Sequence, residues 1–145
     1  MATLEIIYDI LTFVGGAASG AVGTLWKLNL EHLDERIDEA VEQVEEMAKL
    51  AAEYWVLPGN HPDAAKLSVL IVGKSRRIGL LISKILKRYR AFRWPNNRPL
   101  LLFRQAATGG PFQVLARQPD RHRAQDAQEA ASDLITALRE ARKWW

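Results

Sequence analysis

The chain has 145 residues, no cysteine and a net charge of only +3. That length points to one domain, with a body of modest size once an N-terminal anchor is set aside, and argues against a multidomain enzyme. The absence of cysteine excludes disulfide frameworks, thiolate zinc sites and thiol nucleophiles, and fits a reducing compartment.

The small net charge conceals strong segregation. Residues 1–30 carry −1 and residues 31–56 carry −7, whereas residues 57–93 carry +8 and residues 94–145 carry +3. An acidic segment followed by a basic one suggests two elements that pair with each other or with oppositely charged partners.

From Ile10 to Trp26 no residue is ionisable. A run of that length reaches the lower limit of the roughly 17–25 residues that cross a bilayer. We therefore expect residues 1–28 to form a single transmembrane anchor. A secretory signal would carry bases before the apolar run, but here the preceding charges are Glu5 and Asp9. The competing expectation is an apolar helix buried in a soluble bundle. Gly16, Ser19, Gly20 and Gly23 fall at helical spacing, where missing side chains let two backbones approach closely, so the span is expected to self-associate. Lys27 and the basic excess follow the span, which orients the C-terminal body towards the cytoplasm of a single-pass cell-membrane protein.

Residues 29–93 read as a helical hairpin. Leu30, Leu33, Ile37, Ala40, Val44, Met47, Ala51 and Tyr54 alternate spacings of three and four, and Val41, Ala48 and Trp55 widen the stripe. This pattern predicts a long helix, of coiled-coil type, packed on at least one partner and continuous with the anchor. Pro58, Gly59, Asn60 and Pro62 then supply a turn and a new helix start. The returning helix presents Leu67, Ile71, Ile78, Leu81, Ile85 and Phe92, with Lys74 and Arg88 interrupting the stripe.

Residues 94–145 form a linker and a C-terminal helix packed on the hairpin. Trp94 to Pro99 breaks the chain, and Leu100 to Ala107 is expected as a short helix or strand. Phe112 to Leu115 is expected to run extended. Asp120 is placed to cap a last helix whose stripe is Ala124, Ala127, Ala131, Leu134, Leu138, Ala141 and Trp145. The fold class is therefore all-α. The alternative is a small α/β fold with a strand at 68–72, because the apolar run before Gly73-Lys74-Ser75 superficially resembles a phosphate-binding loop. Ser68 stands where that motif needs its first glycine, and the bulky residues after it suit such a loop poorly.

No residues carry recognisable catalysis. His32, His61 and His122 lack a second imidazole at ligand spacing, and no serine sits in a nucleophile signature. No metal, cofactor or catalytic group is expected. The informative constellation is Lys84, Lys87, Arg88, Arg90, Arg93 and Trp94, where bases alternate with aromatics, joined by Arg142, Lys143, Trp144 and Trp145. Such a collar can contact membrane lipids or another anionic partner, or pair internally with Glu31, Asp34, Glu35 and Asp38. The sequence thus points to a non-enzymatic, membrane-anchored, homo-oligomeric module that offers a helical bundle to a cytoplasmic protein. A membrane-disrupting or channel-forming effector and a soluble basic nucleic-acid-binding protein are the alternatives, the last disfavoured.

Overall fold

A computed structural model describes the backbone of residues 2–142 and the side chains of residues 20–142. Its four helices are α1 (Ala2–Val56), α2 (Pro62–Arg88), α3 (Arg98–Thr108) and α4 (Arg121–Glu140). The chain divides into two units, Met1–Asp34 and Glu35–Trp145.

In the first unit, Gly20 to Asn29 are exposed, and large apolar side chains are among them: Val22, Leu25, Trp26 and Leu28. Lys27 and Glu31 approach to 4.0 Å across one helical turn. The expected break-free passage through Asn29 is present, since α1 continues without interruption. Among the described residues no helix is long and apolar enough to cross a membrane. Most of the expected anchor, including Gly16 and Ser19, falls outside the described side chains.

The second unit is a helical bundle. Residues 35–56 of α1 and the whole of α2 form an antiparallel hairpin around the turn at 57–61. On α1 the buried stripe is Ile37, Ala40, Val41, Val44, Met47, Ala48, Ala51, Tyr54 and Trp55. On α2 it is Leu67, Ile71, Ile78, Leu81, Ile82 and Ile85. Each stripe follows the helical repeat, so one face of each helix leaves water. At about 1.5–3 kcal/mol per large apolar side chain, this burial is the main source of stability. The half-buried ammonium of Lys74 meets Glu46 and donates to Gln43 Oε1 at 2.9 Å, so the base that interrupts the stripe joins the two helices. Arg77 reaches Glu39 at 3.5 Å, further along the same seam.

Local chemistry sets the helix ends. His61 caps α2 by accepting the Asp63 amide at Nδ1, with Pro62 in the first turn and Lys87 and Arg88 in the last, where cations complement the helix dipole. Asp120 caps α4 by accepting the Arg123 amide at 3.0 Å, as its position before the final stripe predicts. Helix α3 packs on both α2 and α4. Trp55 of α1 donates its indole N–H to the Ala107 carbonyl, which fixes the end of α3.

Two expectations are corrected. Residues 68–72 lie inside α2, and the described residues contain no strand, only an isolated bridge between Phe92 and Arg142. The run continues helically because its inward positions, Leu67, Ile71 and Ile78, keep a helical spacing that buries them together. Residues 112–115 are not extended. They form consecutive turns, with Val114 N–H donating to Pro111 O and Arg117 N–H to Val114 O. Gly110 and Gln113 have φ of 62° and 65°, and the Gln113 amide donates to the Tyr54 hydroxyl at 2.8 Å, which offsets the left-handed conformation of a residue with a side chain.

Candidate functional site

Two clusters combine bases with aromatics, and they occupy opposite ends of the bundle. At the turn end, Tyr54 and Trp55 close α1 with their rings edge to face at 5.2 Å, and Phe112 lies 4.9 Å from Tyr54. The Arg117 guanidinium stands 4.3 Å from the Tyr54 ring centroid and 4.9 Å from that of Trp55, and it donates to the Tyr54 carbonyl at 3.1 Å. Helix α1 has no base in its last turn, so Arg117 brings from 63 positions away the cation that the helix dipole favours there. Arg117 is 5% exposed, and its Nε and Nη1 find no hydrogen-bond partner among the described residues. Ring faces cover the cation in place of water, an attraction of about 0.5–2 kcal/mol. Arg123 lies 4.9 Å from the Trp55 centroid and donates to the Gly109 carbonyl at 2.9 Å. The amides of Gly59 and Asp120 complete the clamp by donating to Arg117 O and Trp55 O. None of these residues stands out in the sequence as a site, because a loop arginine belongs to no periodic pattern.

At the other end, α2 stops at Tyr89, whose backbone turns extended while its ring is buried. The chain then runs beside the end of α4: Arg93 N–H donates to Ala141 O at 2.7 Å, and Phe92 pairs with Arg142. The Phe92 ring is buried and stacks on Trp94 with centroids 5.8 Å apart. Trp94 is half-buried, and its indole N–H donates to Asn97. This arrangement joins Arg142 to the collar. Lys143, Trp144 and Trp145 lie outside the described residues. A cleft of about 350 Å³ opens here between Arg93, Trp94 and Pro95 on one side and Ala137, Glu140 and Ala141 on the other.

Lys84, Lys87, Arg88, Arg90 and Arg93 are all exposed. The ion pairs that join α1 to α2 within the bundle, Lys74 with Glu46 and Arg77 with Glu39, lie nearer the turn and leave these five bases to solvent. Residues 64–119 contain twelve Lys and Arg and neither Asp nor Glu, so no carboxylate neighbours the collar along the chain. Glu140 of α4 lines the same cleft as Arg93, and the exposed bases that outnumber it attract anionic surfaces over about a Debye length, roughly 8–10 Å at ordinary salt.

The titration of the paired acids follows from the seam. The hydrogen bond from Arg36 holds the Glu39 carboxyl below its ordinary range, with Arg77 adding to the effect and desolvation opposing it. Lys74 does the same for Glu46. Glu39 in turn raises the pKa of Arg36, which it meets at 2.8 Å. Among the described residues no three His, Asp or Glu side chains converge as metal ligands would. Comparison of the chain with family models, with curated proteins and with solved structures finds no match.

Proposed function

We propose that the chain is a membrane-anchored, non-enzymatic helical interaction module. Its N-terminal span self-associates through Gly16, Ser19, Gly20 and Gly23, and its bundle stands on the cytoplasmic side with the collar against anionic headgroups. The observation that carries this proposal is the contrast between the internal ion pairs of the hairpin and the five exposed collar bases. Each such base near an anionic leaflet contributes on the order of 1 kcal/mol, and the stacked Phe92 and Trp94 suit the headgroup region. Exposed Val22, Leu25, Trp26 and Leu28 favour the anchor, since four large apolar side chains on one exposed stretch of helix gain from transfer to lipid.

The anchor is tested by carbonate extraction of membranes holding the full-length chain. The protein stays in the pellet if the span is integral, and its release into the supernatant overturns that part. Replacing Gly16 and Gly20 with leucine tests the self-association face, because leucine obstructs close backbone approach. Fewer cross-linked oligomers are expected in detergent, and an unchanged ladder removes the small-residue face. Tighter binding of RNA or DNA than of anionic vesicles at equal salt would replace membrane contact with nucleic-acid binding.

A further inference from the structure

The outer face of α2 carries surface that the bundle leaves uncovered. Val69 is 68% exposed, Val72 48% and Leu80 57%, and Lys66, Arg76, Lys84 and Lys87 are exposed on the same side of the helix. A Cβ added to Gly73, on this face, would meet nothing within 4 Å, so a partner backbone can approach closely there. The neighbouring helix offers the reverse. Glu35, Asp38, Glu42, Glu45 and Glu53 of α1 are exposed at successive spacings of three, four or eight, with Lys49 the one base in the row.

We propose that the partner fitting the outer face of α2 is a second copy of this chain, docked through the acidic stripe of its α1. The inference rests on the proposed role of the bundle as an interaction module and names what it binds. Three features support it. The charges are complementary, and their extents match: at 1.5 Å per residue, Glu35 to Glu53 spans about 27 Å and Lys66 to Lys87 about 32 Å. The hairpin also makes the docking reciprocal. Because α1 and α2 are adjacent and antiparallel, a two-fold axis parallel to them sets α1 of each copy against α2 of the other, so both contacts form at once and the assembly closes as a dimer. Finally, the acids of α1 lie beside the α2 face, where Glu46 meets Lys74 and Glu39 meets Arg77. A flat anionic bilayer pressed on α2 would meet those acids, whereas a second copy turns them into contacts. The face carries no aromatic for stacking bases, which disfavours nucleic acid.

The register of the seam sets the test. With Glu46 level with Lys74 and Glu39 with Arg77, Glu42 is level with Arg76 and Glu53 lies within about one residue of Lys66. Full-length light and ¹⁵N-labelled chains are mixed in detergent at low salt and treated with a carbodiimide, which activates a carboxylate so that a lysine amine displaces the carbodiimide as a urea and forms an amide. The expected product is an amide joining Glu53 of a light chain to Lys66 of a heavy one, lost several-fold as salt rises. A chain carrying Glu42→Lys and Glu53→Lys should give no such product with itself, and neither should one carrying Lys66→Glu and Arg76→Glu. Mixing the two should restore inter-chain coupling between positions 53 and 66, now with the charges exchanged. Absence of a light–heavy amide in the native chain, or failure of the mixture, would each overturn the proposal. Glu42, Glu53, Lys66 and Arg76 lie outside the collar, whereas Lys84 and Lys87 belong to both surfaces, so lipid contact is read separately as the difference between neutral and anionic liposomes, which docking of a second copy does not produce.

Discussion

At the turn end of the bundle Arg117 and Arg123 lie on the indole of Trp55 and bond to backbone carbonyls, while at the far end Lys84, Lys87, Arg88, Arg90 and Arg93 stand in solvent beside Phe92 and Trp94. Both ends mix cations with aromatics, yet they have different physical roles. In the first, ring faces and the carbonyls of Tyr54 and Gly109 hold the cations against the protein, although Arg117 Nε and Nη1 make no hydrogen bond among the described residues, and their charge holds a loop onto the end of α1. In the second, Phe92 and Trp94 stack on each other, Arg88 lies 5.9 Å from the Tyr89 ring centroid, and the five bases are exposed. Basic-aromatic composition alone therefore does not mark a binding surface. Exposure separates a structural clamp from a candidate contact.

This contrast breaks down if the clamp can be removed without cost. Trp55 is fully buried, supports both guanidinium groups and donates to Ala107, so Trp55→Ala is expected to lower stability by about 3–5 kcal/mol in thermal or denaturant unfolding. Arg117→Ala removes a charged hydrogen bond to the Tyr54 carbonyl and leaves a void between the rings, for an expected loss of about 1.5–3 kcal/mol. Arg117→Met keeps much of the stem and avoids burying a charge, so it should lose distinctly less. Equal losses for the two variants would show that the charge, and not the packing, is what the clamp needs.

Two glycines of the hairpin, Gly59 in the turn and Gly79 inside α2, sharpen the same point. A Cβ on Gly59 would collide with the carbonyl oxygens of Val114 and Leu115, where the clamp loop crosses the turn. A Cβ on Gly79 would meet only the guanidinium end of Arg104, which can move. Gly59→Ala should therefore cost about 1–3 kcal/mol, as overpacking against rigid backbone does, and more than Gly79→Ala. Comparable melting temperatures for the two variants would contradict the close crossing at Gly59.

The smallest expected effect is the acid response of the seam. Glu39 and Glu46 have carboxyl pKa values lowered in the folded state by Arg36, Arg77 and Lys74. A lowered folded pKa gives stability that is present above the ordinary carboxylate pKa, about 4.3, and lost as pH falls through the lower folded value. Acid titration of the native chain should show this loss, and a Glu39→Gln/Glu46→Gln chain should show a shallower one. Both groups are well solvated, so the difference is modest.

Much of the bundle is legible in the sequence because periodicity reports burial directly. The spacing from Ile37 to Tyr54, from Leu67 to Ile85 and from Ala124 to Leu138 marks residues that the structure buries. Pro62 and Asp120 mark helix starts because their backbone chemistry is local. The clamp is not legible. Arg117 sits in a loop with no period, and its partners are Tyr54 and Trp55, so nothing near it in the chain announces that it is buried. The collar residues can be read as a group, but their exposure cannot, since an acidic helix elsewhere in the chain offered a rival partner for every base. Residues 112–115 were open to misreading for a similar reason: their turns depend on the Tyr54 hydroxyl, a distant acceptor.

The most direct measurement compares the two ends in membranes. Full-length chain is reconstituted into liposomes of neutral lipid and into liposomes containing anionic lipid, and lysine acylation rates are read residue by residue. Lys84 and Lys87 should react several-fold more slowly in the anionic liposomes, with the difference shrinking as salt shortens the Debye length, while Lys49 on the acidic stripe reacts alike in both. Equal protection of Lys84 and Lys87 in neutral and anionic liposomes would contradict the assignment of the collar as the surface that meets anionic lipid.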